Sequence, residues 1–154
     1  MSVAFRRESD EEHLEPKFEL PIPAGPNRVT AAGSTLIDTR VAALEATLAA
    51  AETDEAEAIR RDLRYWKTRR ATAIPTSAPA DGSAGFGTRV VVRMGGRERR
   101  IDIVGDDEAD PNADRVAFGA PLARALAGAE PGDLLPFHGR EDAIEVLAVA
   151  AIDS

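Results

Sequence analysis

Hydrophobic patterning divides the chain into three regimes. From Val29 onward the apolar positions first follow a helical stripe. Ile37, Val41, Leu44 and Leu48 are spaced by four, three and four residues, the repeat of one helix face. Thr30 precedes the stripe and suits a helix N-cap, its hydroxyl accepting a free backbone N–H. Glu52-Thr53-Asp54 interrupts the pattern, which resumes with Ile59, Leu63, Trp66 and Ala73. Two arms of about 20 residues, each ~30 Å long, joined by a tight polar turn, predict an antiparallel coiled-coil hairpin over residues 29–74. Two helices of an ordinary bundle are the rival reading, but no further long helices follow.

Pro75, Pro79, Gly82 and small polar residues then read as a linker over residues 75–84. Beyond it the period becomes two. Residues 88–93 alternate as a strand, Gly95-Gly96 suits a two-residue hairpin turn, and residues 99–104 return. A short strand is expected at 115–118. A brief helix at 121–127 has Pro121 in its first turn and Gly128 after its end. Pro131-Gly132-Asp133 turns the chain into strands at 134–137 and 143–149. The expected fold class is α+β, a helical coiled-coil hairpin followed by a small antiparallel sheet domain with one short helix over residues 85–154.

Residues 1–28 obey neither period. Pro16, Pro21, Pro23 and Pro26 punctuate an acidic stretch with too few apolar residues to offset the entropy of ordering. A mostly disordered tail is expected there, with Phe5, Leu14, Phe18, Leu20 and Ile22 able to dock locally. Cysteine is absent from the 154 residues, which removes disulfides, zinc ribbons and thiol catalysis together. His13 and His138 are the only histidines, so a multi-histidine metal site is not expected. No apolar leader region opens the chain, and no run approaches the ~18 apolar residues of a spanning helix. A soluble, cytoplasmic protein with no membrane partner is expected.

The net charge of −8 opposes general binding to duplex DNA, whose phosphates would repel it. The charge is segregated, however. Arg60, Arg61, Arg64, Lys67, Arg69 and Arg70 follow closely on an acidic cluster at residues 52–57. A second acidic run, residues 106–114, fails as a calcium loop. Counted from Asp110, with Asn112 and Asp114 at positions 3 and 5, Arg115 stands where glycine is required, and Pro121 where the bidentate glutamate belongs.

Several runs, in order, resemble the GreA/GreB transcription elongation factor family. Ile101-Asp102-Ile103-Val104-Gly105, Asp107-Glu108-Ala109-Asp110, Gly119-Ala120-Pro121-Leu122-Ala123-Arg124-Ala125-Leu126 and Pro131-Gly132-Asp133 are similar to its C-terminal domain. Val29-Thr30-Ala31-Ala32-Gly33 is similar to the family's opening Thr-x-x-Gly. Arg60-Arg61-Asp62-Leu63-Arg64-Tyr65-Trp66 is similar to the returning helix of the GreB branch. The likeness covers roughly residues 29–152 and departs at Ala120, where the family has serine. It implies an FKBP-like C-terminal domain whose Ala120, Pro121, Leu122 and Arg124 grip the rim of the secondary channel of bacterial RNA polymerase. It also implies a hairpin that enters that channel. Such a protein is a monomer and not an enzyme; it stimulates the polymerase to hydrolyse its own backtracked transcript.

In the family, the hairpin tip reads Asp-x-x-Glu-Asn and helps to hold the second Mg²⁺ of the polymerase. Asp54 and Glu57 keep that spacing, with Ala58 in place of the asparagine. Residues three apart share a helix face, and Mg²⁺ needs only one or two protein carboxylates when a partner supplies the rest. No cofactor of the protein's own is implied. The same acids equally suit a helix N-terminus, where each adds ~0.3–1 kcal/mol against the dipole. Arg60, Arg64 and Lys67 stand where the family turns a basic face toward the nascent RNA 3′ end; a solvated helix face paired with nearby acids is the plainer reading. Each arm is about ten residues shorter than the family pattern, ~15 Å of reach, which is Rnk-like. A non-cleaving regulator that occupies the secondary channel and competes with other Gre-type factors is therefore the alternative. A prolyl isomerase would rest on fold analogy alone.

Overall fold

The computed structural model describes residues 19–152. They form two compact units, one of residues 19–24 and 37–72, the other of residues 25–36 and 73–152. Two helices precede the sheet, α1 (Ala31–Ala49) and α2 (Thr53–Thr72). Thr30 caps α1 as expected, its hydroxyl accepting from the Gly33 N–H at 3.0 Å. Bonds from Ala50 to Thr47 and from Ala51 to Leu48 close the helix, and the Glu52 carbonyl opens α2 by accepting from Glu55 and Ala56. The expected stripe is buried at Ile37, Val41 and Leu63, with Ala56 beside it, while Leu44, Leu48, Ile59 and Trp66 are half-buried. Glu45 of α1 pairs with Lys67 of α2 at 3.4 Å, and the Arg40 guanidinium lies 5.3 Å from the centre of the Trp66 ring. No helix among the described residues is long and apolar enough to cross a membrane.

The expectation of a mostly disordered tail concerns residues 1–28, of which 1–18 lie outside the described residues. The remainder makes defined contacts. Glu19 bonds to Arg64, Asn27 is buried, and Arg28–Val29 forms strand β1. β1 pairs in parallel with β2 (Ile74–Pro75), through Ile74 N–H to the Asn27 carbonyl at 2.8 Å and Thr76 N–H to the Val29 carbonyl at 3.0 Å. Two-residue strands are too short to show any periodicity, so this pair left no trace in the pattern.

In the second unit β3 (Thr88–Met94), β4 (Arg97–Val104), β5 (Arg115–Ala117), β6 (Leu134–Phe137) and β7 (Arg140–Ala151) form a five-stranded sheet in the order β5-β4-β3-β7-β6. The Gly95-Gly96 turn has φ of 59° and 78°, the left-handed pair that favours glycine and matches strand twist. The sheet is mixed, not wholly antiparallel as expected. β4 ends at Val104, and the connection returns the chain to the level of Asp102, opposite Arg115, so β5 must run parallel to β4. Val90, Val92, Ile101, Ile103, Ile144 and Val146 form the inner face, covered by Ala123 and Leu126 of α3 (Pro121–Leu126). Each such Val, Leu or Ile contributes ~1.5–3 kcal/mol by leaving water.

Part of the segment expected to be a linker belongs to this core. Ala84 is buried, donates to the Ala129 carbonyl at 2.9 Å and accepts from Gly128 at 2.8 Å.

Candidate functional site

Two motifs 78 residues apart in the chain meet at Glu108. In a capping box the third helical residue is a glutamate that accepts the N-cap N–H. Here that position is Gly33, and Glu108 takes the role from 78 residues away, accepting the Thr30 N–H at 3.1 Å. The Thr30 hydroxyl donates to the other carboxylate oxygen, and Gly105 N–H reaches Oε2 at 3.2 Å. The Glu108 carboxylate is buried, with the Arg115 guanidinium 3.7 Å away. A Cβ on Gly33 would overlap this carboxylate, and one on Gly105 would overlap the Arg28 carbonyl. The Thr-x-x-Gly of residues 30–33 and the Gly-x-x-Glu of residues 105–108 are therefore one joint. Sequence reading noted both but had no means of joining them.

The acids around Glu108 are also structural. Asp110 Oδ1 accepts from Asn112 N–H at 3.1 Å, and Asp114 pairs with Arg99 at 2.8 Å. No group of three or more His, Cys, Asp or Glu among the described residues is placed to hold a metal ion.

The start of α3 presents the second candidate surface. Ala120 is the N-cap, in extended conformation, and its carbonyl accepts from Arg124 N–H at 2.9 Å. Having no side-chain oxygen, Ala120 makes no side-chain cap. Pro121 and Arg124 are exposed, while Leu122 packs against the core. Sequence reading missed two neighbours. The Phe118 ring is 39% exposed, lies edge-on to Phe86 at 5.8 Å, and has the Arg28 guanidinium 5.8 Å from its centre. Aromatic residues and arginine are enriched at protein-binding surfaces. Its signal was a phenylalanine at the end of a short strand, which composition cannot separate from core.

In the other unit, Asp54 and Glu57 are both exposed in the first turns of α2, with Glu57 3.5 Å from Arg60. Arg64 binds Glu19 with two bonds, at 2.9 and 2.7 Å, and Lys67 binds Glu45. The Glu19 carboxyl is held below its ordinary range, chiefly by the Arg64 hydrogen bonds, and Arg64 is raised by the same contact. All three cations of the basic face thus have a carboxylate partner within the chain.

Fold and surfaces together define an α+β chain of two helices and a mixed sheet, with its polar chemistry on exposed charged faces. Residues 79–152 match the family described as transcription elongation factor, GreA/GreB, C-term. It is 43% identical over 61 residues to transcription elongation factor GreA of Psychrobacter cryohalolentis, covering 38% of this chain and 39% of that one. It is 39% identical over 84 residues to GreA of Sinorhizobium medicae, covering 52% and 53%. The chain thus spans about half the length of these relatives or less. The crystal structure of GreA factor homolog 1 of Thermus thermophilus aligns over 82% of this chain and 100% of that one, at 15% identity and a TM-score of 0.40.

Proposed function

We propose that this protein binds bacterial RNA polymerase at the rim of its secondary channel and extends α1 and α2 into the channel as a coiled-coil hairpin. The observation that carries this reading is the family match over residues 79–152, together with the exposure of Pro121 and Arg124 at the start of α3. On this reading the sheet domain is FKBP-like and supplies affinity through Ala120, Pro121, Leu122 and Arg124. The protein is a cytoplasmic monomer and not itself an enzyme.

Asp54 and Glu57 are the residues that would hold a Mg²⁺ shared with the polymerase. Two exposed carboxylates on one helix face fit that ion's preference for a few oxygen ligands, the remainder coming from the partner. When bound, the ion supplies water activation and charge stabilisation for phosphoryl transfer. Arg60, Arg64 and Lys67 would then lie toward the RNA 3′ end.

Arm length favours a second reading, a non-cleaving competitor of other Gre-type factors. Helices of 19 and 20 residues are ~30 Å long. Incubation with a stalled, backtracked polymerase tests both readings, with transcript shortening and displacement of a labelled Gre factor followed together. Shortening supports stimulated cleavage, displacement alone supports the competitor, and neither overturns the polymerase reading.

A further inference from the structure

Both outer strands of the five-stranded sheet are blunted as edges. On β5, Arg115 exchanges both of its backbone bonds with Asp110, at 2.8 and 3.0 Å. β6 carries Pro136, which has no N–H to offer. The second half of β7 is different. β6 pairs with β7 only as far as Glu145, and the turn ahead of β6 takes up Val146 through Gly132 and Asp133. Beyond Val146, no strand of the described residues pairs with that side of β7.

The register identifies the backbone groups left over. Thr88 stands opposite Ala151, and Ile152 N–H reaches the Gly87 carbonyl at 2.9 Å. In an antiparallel ladder that bond fixes the alternation. Ala148 and Ala150 turn their N–H and C=O toward β3, whereas Val149 and Ala151 turn theirs away from it. These groups lie on a run, residues 147–152, that contains neither a charged residue nor a proline, the two devices that ordinarily guard an edge. Ala148, Ala150 and Ala151 are exposed, and their small side chains leave room for a neighbouring backbone. At the end of the run lies a cleft of about 490 Å³, walled by Val29, Thr30, Thr76, Ser77, Ala151 and Ile152 among others. No charged side chain lines it, in a chain of which 30% is charged. A carboxylate or ammonium entering this cleft would leave water without gaining a counter-charge.

We propose that residues 147–151 of β7 are a strand-addition site for an extended, uncharged segment of a partner protein. The segment lies in line with β6 and seats a side chain in the cleft. Backbone bonds to Val149 and Ala151 supply the affinity, and the uncharged cleft supplies the selectivity. The site is separate from the start of α3 and does not depend on the polymerase reading.

The test uses the full chain and a labelled peptide, Val-Thr-Val-Thr-Val-Thr-Val, capped at both ends. Amide exchange followed by NMR is the primary readout. In the free protein Ala148 and Ala150 should exchange slowly and Val149 and Ala151 fast; excess peptide should slow the second pair. Affinity is then measured by anisotropy. Ala151→Pro removes an N–H that takes no part in the β3 ladder, so the sheet should survive it. It is expected to weaken peptide binding about two- to ten-fold, the worth of one backbone bond. Ala151→Ser keeps the N–H and should bind as wild type does. A peptide with glutamate in place of both terminal valines should bind more weakly than the uncharged one. Unchanged exchange at Val149 and Ala151 under excess peptide overturns the proposal, whatever the variants do. Equal binding by Ala151→Pro, or by the glutamate peptide, overturns it as well. So does a concentration-dependent dimer of the free chain, seen by sedimentation, that protects the same two amides, because the edge would then belong to a second copy.

Discussion

The Glu108 carboxylate serves three donors on two segments, Thr30 N–H, Thr30 hydroxyl and Gly105 N–H, and it does so out of contact with water. Glu108→Ala leaves those buried donors without an acceptor. At ~1–3 kcal/mol for each buried unsatisfied group, partly relieved by relaxation, a loss of about 2–5 kcal/mol is expected in urea denaturation. Gly33→Ala is the sharper probe because its sign should depend on Glu108. With Glu108 present, the new methyl overlaps the carboxylate, and overpacking of ~1–3 kcal/mol is expected. In the Glu108→Ala background the space is free, and alanine's helix preference of ~1 kcal/mol over glycine should make the same change stabilising. An unchanged sign in that cycle would refute the joint. Glu19 offers a titration instead. Arg64 depresses its folded pKa below the ordinary 4.5. The contact's contribution is therefore complete above that ordinary value and is lost as pH falls through the depressed one. Carboxyl NMR should place the Glu19 midpoint below that of an unpaired glutamate, and Arg64→Gln should return it to the ordinary range.

Among the elements, the five-stranded sheet is expected to depend on the turn that precedes β3. Ala84 bonds to both Ala129 and Gly128 and lies in the core, so a fragment starting at residue 85 loses two buried hydrogen bonds and a core methyl. A fragment starting at residue 79 keeps them. The shorter one should be less stable by about 2–3 kcal/mol, roughly 8–24 °C in Tm for a domain of this size. Equal melting of the two would show that Ala84 contributes nothing. The same elements explain how much the pattern disclosed. Both long helices, the Gly-Gly hairpin and the strands carrying Val90, Val92, Ile101 and Ile103 were legible because each repeats its period several times. What escaped was set by single contacts. The parallel placement of β5 depends on where the 105–114 connection lands, and β1–β2 on two rungs of backbone bonding. In β7 the alternation of Ile144 and Val146 shifts phase at Val149, because a bulge beside Val91 and Val92 adds one residue to that strand. The candidate surfaces divide in the same way. Asp54 and Glu57 were visible as charges at a helix start, and Arg124 only through the family resemblance. Phe118 with Arg28, the partnership of Thr30 with Glu108, and that of Glu19 with Arg64 depend on long-range contacts that no spacing rule encodes.

For the molecule as a whole, the proposed function separates into affinity and action, which belong to different units. Ala120–Arg124 and Phe118 lie in the unit of the sheet, whereas Asp54 and Glu57 lie in the unit of the helices. Removing both acids with Asp54→Ala and Glu57→Ala should therefore leave polymerase affinity unchanged. An exposed acid in a first turn is worth only ~0.3–1 kcal/mol to its own helix, so the fold should survive. Arg124→Ala with Phe118→Ala should do the reverse, weakening polymerase binding about ten-fold or more if these residues are anchors of the interface. The effect of the acids on transcript cleavage depends on reach. If the proposed shortening of each arm by about ten residues holds, ~15 Å of reach is lost at 1.5 Å per residue, and an ion held ~15 Å from the reacting phosphate cannot assist it. Wild type is accordingly expected to displace a labelled Gre factor from polymerase while shortening the backtracked transcript only weakly. The double acid variant should displace it equally well and abolish the residual shortening. Cleavage at the wild-type rate by that variant would remove Asp54 and Glu57 from any metal-holding role. Strong cleavage by wild type that the variant abolishes would show instead that the short arms reach the active site and that the tip acts there.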